Sequence, residues 1–226
     1  MSAPAAPEPA AVVDVTVLVE RVTHGERAPG LPILEDVSLT AAPGALVVVE
    51  GRSGSGKSTL CQLVAGLEAP DHGSVLVCGE PAHTVQDWGR LALLPQRLGL
   101  SGELSIEENV FLPCWMAGRP ERPDLLESLD LLHLSGRLTG QASRGEQQRV
   151  AIARAAVLSP AVVVLDEPTS HQDEGHADVV AEGLVALARA GSTVLVATHD
   201  PRLVESADQV VHLHAGRHHE PGGSQG

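Results

Sequence analysis

An α/β fold with a mostly parallel sheet, an N-terminal antiparallel β subdomain and an inserted helical subdomain is predicted by three features of the sequence. The apolar run Ala45–Val49 leads through a glycine-rich loop into Leu60–Ala65, which reads as the start of a helix. Two further apolar runs, Ala161–Leu165 and Thr193–Ala197, end on Asp166-Glu167 and Thr198-His199. Buried parallel strands read this way, and open α/β sheets bind ligands outside their carboxyl ends. Residues 97–159 turn helical in composition, while Val13, Val15, Val17 and Val19 show the period-two pattern of a sheet with one wet face.

Residues 1–12, rich in Ala and Pro, are expected to be a disordered tail, as are the polar residues 217–226; the folded domain is expected over 13–216. The first strands are expected to break at a loop over Gly25–Pro32 and to resume at Val37-Ser38-Leu39, before Pro43-Gly44 turns into the buried strand. Then comes Gly51-Arg52-Ser53-Gly54-Ser55-Gly56-Lys57-Ser58-Thr59, which fits G-x-x-x-x-G-K-[ST] in the strand, loop, helix context that the motif requires. Glycines let the backbone wrap closely around phosphate oxygens, and N–H groups and the helix N-terminus then face the anion. Lys57 would add charge at the terminal phosphates, Ser58 would hold Mg²⁺ and Thr59 would reach the first phosphate. Of fifteen basic residues only Lys57 is a lysine, so the chain keeps its one compact ammonium for this loop.

Gly66–Gly73 is expected to break the helix, and Ser74–Gly79 to form a short strand. Leu91–Gln96 reads as an apolar strand ending in glutamine, Ser105-Ile106-Glu107-Glu108 as a capping box, and Pro123 as the first turn of another helix. Ala142–Arg149 runs into an alanine-rich helix. A hydroxyl and a glycine at its mouth make a second candidate anion site, although the same residues would serve an ordinary cap. Asp166 can hold Mg²⁺ through water, and Glu167 can orient and deprotonate an attacking water. Val179, Val180, Leu184 and Leu187 recur at helical spacing up to a cap at Gly191, and His199 closes the last buried strand.

A net charge of −14 argues against a broad nucleic-acid surface, which needs clustered positive charge. No apolar stretch approaches bilayer length, so a membrane role would pass through a partner. Cys61, Cys78 and Cys114 lack C-x-x-C spacing and fit a reducing compartment. His212, His214, His218 and His219 lack the Cys or carboxylate spacing of a metal site.

In their order along the chain these motifs resemble the ATP-binding subunit of an ABC transporter, over roughly Val13 to His214. The residues that carry the resemblance are Gly51–Thr59, Gln96, the signature Ala142–Glu146 with Gln147-Gln148-Arg149, Asp166-Glu167, the segment Ser170-His171-Gln172-Asp173, and His199. Glu107–Pro113 is similar to the subfamily serving lipoprotein release, macrolide or peptide efflux, and division-associated permeases. The resemblance implies a P-loop NTPase core that hydrolyses ATP with Mg²⁺. It implies a cytoplasmic location at the inner face of the cell membrane, with membrane contact only through an integral-membrane permease. A second ATP-binding subunit, identical or a close paralogue, would close head to tail, with ATP between one phosphate loop and the other signature. Ser143, Arg144, Gly145 and Glu146 would face that nucleotide, Ser143 and the Gly145 N–H completing the γ-phosphate cage. Glu167 would activate water and His199 would clamp the γ-phosphate. Gln96 would join Ser58 and Asp166 at the metal and report nucleotide state to the permease.

Two departures from the family pattern carry expectations. Ala142 and Arg144 replace the leucine and first glycine of the usual Leu-Ser-Gly-Gly-Gln, and a side chain at Arg144 would obstruct backbone approach, lie outward, or help neutralise phosphate. Obstruction would make the chain a regulatory nucleotide-binding subunit with weak hydrolysis. The family usually stacks adenine on an aromatic, commonly tyrosine, yet this chain has no Tyr and its one Phe is Phe111. His24 or Arg27 is left to cover the base, with weaker contact and a loose choice between ATP and GTP.

Overall fold

The computed structural model describes residues 16–170 and 172–219, so the tail expected over 1–12, with Val13 and Val15, lies outside the described residues. The chain opens with β1 (Val17–Ala28) and β2 (Leu31–Ala41), an antiparallel hairpin. The loop expected over Gly25–Pro32 is strand instead. Pairing continues through His24 with Leu34, Glu26 with Pro32 and Ala28 with Leu31, leaving Pro29-Gly30 as the turn. Gly25, at φ +68°, lies between register shifts, so the strand bulges without ending. Pro32 is tolerated because β2 is an edge strand.

Next come β3 (Leu46–Glu50), α1 (Lys57–Val64), β4 (His72–Val77), β5 (Glu80–Pro81) and β6 (Leu91–Leu94). Between β6 and β7 (Val162–Asp166) lie α2 (Ile106–Ala117), α3 (Pro123–Ser128) and α4 (Arg144–Ala156), the helical insert. After β7 follow α5 (Glu174–Arg189), β8 (Thr193–Ala197), α6 (Pro201–Ser206), β9 (Gln209–His214) and β10 (Arg217–His219). The first sheet is antiparallel, in the order β2-β1-β4-β5. The second runs β10-β9-β3-β8-β7-β6, parallel except for β10.

The all-apolar runs are explained by cores on both sides of this second sheet. Val48, Val163, Leu165, Val194 and Val196 pack with α2, α4 and α5. Their neighbours Val47, Val49, Val162, Val164 and Leu195 pack with α1 and with Val17 and Val19 of the first sheet. A strand wetted on one face would alternate; these cannot.

The tail expected from residue 217 overlaps β10. Arg217 pairs with Glu35 at 2.6 Å, and the Glu35 N–H donates to the Gly216 carbonyl at 2.8 Å, so a polar sequence is held in place by β2. Edge strands need no apolar code of their own.

Both expected helix starts in the insert are present. The Ser105 hydroxyl accepts from the Glu108 N–H at 3.2 Å and the Glu108 carboxylate accepts from the Ser105 N–H at 2.7 Å. Asn109, only 1% exposed, holds the insert together one turn later. It accepts from the Ser101 N–H at 3.0 Å and donates to the Ser101 carbonyl at 2.9 Å and the Thr139 hydroxyl at 2.9 Å. Asn109→Ala leaves several buried groups without partners and should cost about 2–4 kcal/mol, read as a lowered urea midpoint; an unchanged midpoint would show that Asn109 carries no such burden.

Candidate functional site

A cavity of about 1420 Å³ opens at the carboxyl ends of the second sheet, floored by the glycine-rich loop. The loop fits only without side chains at two points. A Cβ on Gly51 would run into the Leu213 carbonyl oxygen of β9. Gly56, the N-cap of α1 at φ 104°, would bring a Cβ to 2.7 Å from Leu34 Cδ2. The loop is closed by the Ser55 N–H donating to the Arg52 carbonyl at 3.0 Å, and tied to the C-terminal hairpin by the Gly216 N–H donating to the Ser55 carbonyl at 3.0 Å. Among the described residues the N–H groups of Gly54, Gly56, Lys57 and Ser58 have no partner. Lys57 folds back over the loop, its Nζ donating to the Gly51 carbonyl at 2.7 Å.

Eight of the nine predicted loop residues line the cavity: Gly51, Arg52, Ser53, Gly54, Gly56, Lys57, Ser58 and Thr59. Ser55 does not. It is 5% exposed, and its hydroxyl is packed against Gly51 without a hydrogen-bond partner. Only the backbone of Ser55 remains available to shape the loop.

Gln96, Asp166, Glu167 and His199 line the same cavity. Asp166 ends β7 and is 7% exposed. Glu167 follows at φ 52°, a left-handed conformation costly for a residue with a Cβ, and is held there by its N–H donating to the Ala197 carbonyl at 2.8 Å. The bend places its carboxylate 3.2 Å from His199 Nδ1 and lets it accept from the Thr198 hydroxyl at 3.4 Å. The His199 side chain is 80% exposed, free to meet whatever fills the cavity. Free N–H groups, Lys57 and two hydroxyls can hold a chain of phosphates. Ser58, Asp166 and Gln96 supply the oxygen ligands that a hard divalent cation prefers, and Glu167 can take a proton from water. The residues present therefore fit a nucleoside triphosphate with its metal. Behind the loop, burial pushes the Cys61 thiol up, and the nearby Asp166 carboxylate adds to this, so it stays protonated and inert.

Ser143, Arg144, Gly145 and Glu146 are not brought to this cavity. They border a separate pocket of about 520 Å³, together with Asp130, His133, Asp173 and His176. Ser143 caps α4: its hydroxyl accepts from the Glu146 N–H at 3.2 Å, and the Glu146 carboxylate accepts from the Ser143 N–H at 2.6 Å. Burial alone would raise the Glu146 carboxyl. The Ser143 N–H and hydroxyl, with Arg137 and Arg149, outweigh it and hold the group below its ordinary value. Arg144 is exposed and makes no ion pair among the described residues. The segment after β7 touches this helix mouth through Gln172, whose amide donates to the Gly145 carbonyl at 3.0 Å. His171 of that segment lies outside the described residues.

Arg27 lines the cavity, whereas His24 does not. Sequence reasoning missed Ile33 and Glu50 and weighed His212 and His214 only as metal ligands. All four line the cavity, and His212 Nδ1 lies 3.2 Å from the Glu50 carboxylate. No spacing rule could have found them: Glu50 meets His212 only through the pairing of β9 with β3, and Ile33 comes from β2 of the other sheet.

A glycine-rich phosphate loop on a central parallel strand, with an acid pair ending a nearby strand, defines a P-loop nucleoside triphosphatase. Comparison with known families is more specific: the ABC transporter family model matches residues 34–170. The chain belongs to that family, as an ATP-binding subunit with ATPase activity. It is 37% identical over 223 residues to the lipoprotein-releasing system ATP-binding protein LolD of Granulibacter bethesdensis, covering 92% of this chain and 96% of that one. An uncharacterized ABC transporter ATP-binding protein of Mycobacterium tuberculosis is 37% identical over 199 residues, 82% of this chain and 80% of its own length. Among solved structures, the dimeric post-hydrolysis state of the ATP-binding cassette MJ0796, bound to ADP and Pi, superposes with a TM-score of 0.81 at 27% identity, covering 90% of this chain and 97% of that one. Among the described residues no helix is long and apolar enough to cross a membrane.

Because the Glu146 carboxyl is held below its ordinary value of 4.5, its cap supports α4 fully above that pH and fails as pH falls through the lowered value. Glu146→Gln, titrated beside the parent by urea midpoint from pH 7 to pH 3, should flatten this acid limb; parallel curves would mean that the box carries no linked proton.

Proposed function

We propose that this chain drives a separate integral-membrane permease by closing on a second ATP-binding subunit around ATP, at the cytoplasmic face of the cell membrane. One observation carries the reading. The phosphate loop with its acid pair and the segment Ser143–Glu146 border separate pockets of a single chain, so neither group completes the other within one copy. A partner arranged head to tail supplies the missing half to each. Isologous closure of this kind makes two composite sites.

Within such a site Gly51–Thr59 bind the phosphates, with Lys57 on the terminal pair. Ser58, Asp166 and Gln96 would hold Mg²⁺, which when bound neutralises charge on the phosphate oxygens. Glu167 orients and deprotonates the attacking water, and its hydrogen bond with His199 fixes which way the carboxylate points. The partner's signature contributes the Ser143 hydroxyl, the Gly145 N–H and the dipole of α4. His199 senses the γ-phosphate, and Gln96, between the core and the helical insert, passes nucleotide state to the permease. Likeness to the LolD proteins supports a permease of the kind that serves lipoprotein release, macrolide or peptide efflux, or division. Cargo is then set by the membrane subunit.

In the purified complex with its permease, Glu167→Gln should cut ATP turnover by about 100-fold or more while ATP binding persists. Turnover that survives this change would remove Glu167 from the role of base. Lys57→Ala should abolish ATP binding in calorimetry. Turnover absent in the parent complex would favour the regulatory reading, with Arg144 as the obstruction.

A further inference from the structure

We infer that His24 is a positioning residue of the phosphate site: while its imidazole is charged it fastens the segment after α1 to the β1–β2 hairpin, and nucleotide affinity is thereby linked to a proton. This rests on reading the cavity described above as a triphosphate site.

The hairpin grips α1 at both ends. In front, Arg27 Nη2 donates to the Gly54 carbonyl of the phosphate loop at 2.8 Å. Behind, the segment Gly66–Gly73 comes back against β1. There His24 Nε2 lies 3.1 Å from the Glu68 carboxylate and Nδ1 lies 3.5 Å from that of Asp71, while the Gly25 N–H donates to Asp71 at 2.9 Å. Gly25 is the bulge of β1, at φ +68°, and a Cβ there would stand 2.9 Å from Ile33 Cδ1. Ile33 and Arg27 both line the nucleotide cavity. Contacts behind the helix thus run through the bulge to the wall of the site.

The His24 side chain is 12% exposed and has a carboxylate facing each ring nitrogen. A neutral imidazole carries one N–H and one lone pair, so it can donate to one carboxylate and must turn a lone pair on the other. The imidazolium donates to both. Histidine is the side chain that changes charge between pH 5 and pH 8, so the clamp is fastened at the acid end of that range and is lost as pH rises through it. Nearby charges of β1, β2 and β4 are committed elsewhere. Glu26 accepts from the Gly30 N–H at 2.8 Å, Arg21 pairs with Asp36 at 3.3 Å and Glu35 with Arg217 at 2.6 Å. His72, opposite Thr23 on β4, makes no ion pair among the described residues. Once the ring is neutral, the hairpin that brings Arg27 and Ile33 to the loop is held less firmly, and a nucleotide has to order it on binding, at a cost in affinity.

The test is calorimetric titration of the full chain with ATP in magnesium at pH 6 and pH 8, beside His24→Lys, which is charged at both, and Glu68→Gln. Comparing parent and variant at the same pH cancels the protons that ATP itself binds. At pH 6 the parent and His24→Lys should agree within about twofold, and at pH 8 the parent should fall about fivefold behind. Glu68→Gln, altered at an exposed carboxylate, should match the parent at pH 8 and bind more weakly at pH 6. A ratio of parent to His24→Lys that is the same at both pH values, or Glu68→Gln equal to the parent at pH 6, overturns the inference. So does a parental urea midpoint that falls with rising pH while the affinity ratio stays level, since His24 would then brace the fold without reaching the site. Failure of the parent to bind ATP at either pH would remove the triphosphate site itself, and the inference with it.

Discussion

The glycine-rich loop is shaped by two of its glycines, one crowded by a neighbouring backbone and one held at a positive φ. At Gly51 the phosphate loop presses on the Leu213 carbonyl of β9, and at Gly56 it presses on Leu34 of β2. Between these neighbours the loop leaves the N–H groups of Gly54, Gly56, Lys57 and Ser58 without partners among the described residues. A phosphate bound here would meet mostly main chain, in a loop shaped by the packing behind it. Lys57 adds charge to a shape already fixed.

The parallel sheet extends the same logic sideways. Alternate residues of β3, β7 and β8 are buried in opposite cores, and their parallel register pairs Val49 and Asp166 each with Ala197. Their carboxyl ends are therefore held level, which brings Asp166, Glu167, Thr198 and His199 to one rim. Of these four, only Glu167 has a left-handed backbone. Its left-handed backbone, secured to Ala197, turns its carboxylate across toward the next strand and into contact with His199.

The central strands, the loop, the capping box at Ser105 and the acid pair were legible in the sequence because each is encoded locally, in runs or fixed offsets. What was not legible depends on strand order. Glu50 and His212 are more than a hundred residues apart and meet only because β9 lies beside β3. The continuation of β1 past Gly25 was hidden because glycine and proline ordinarily mark loops, whereas here a bulge and an edge strand accommodate both. Strand β10 was hidden for a related reason: its order comes from Glu35 on β2, and nothing in Arg217-His218-His219 declares it. Ser55 shows the opposite failure, since a motif gives every position equal weight while the fold buries this one side chain behind the rest.

The hairpin of β9 and β10 stands behind the phosphate loop, although some 150 residues of chain separate them. On the ribosome, Gly51–Thr59 emerges early and must wait for almost all of the remaining translation before Leu213 and Gly216 arrive to brace it. A chain broken off before this hairpin would lack both the Leu213 carbonyl against which Gly51 packs and the Gly216 N–H that holds the Ser55 carbonyl.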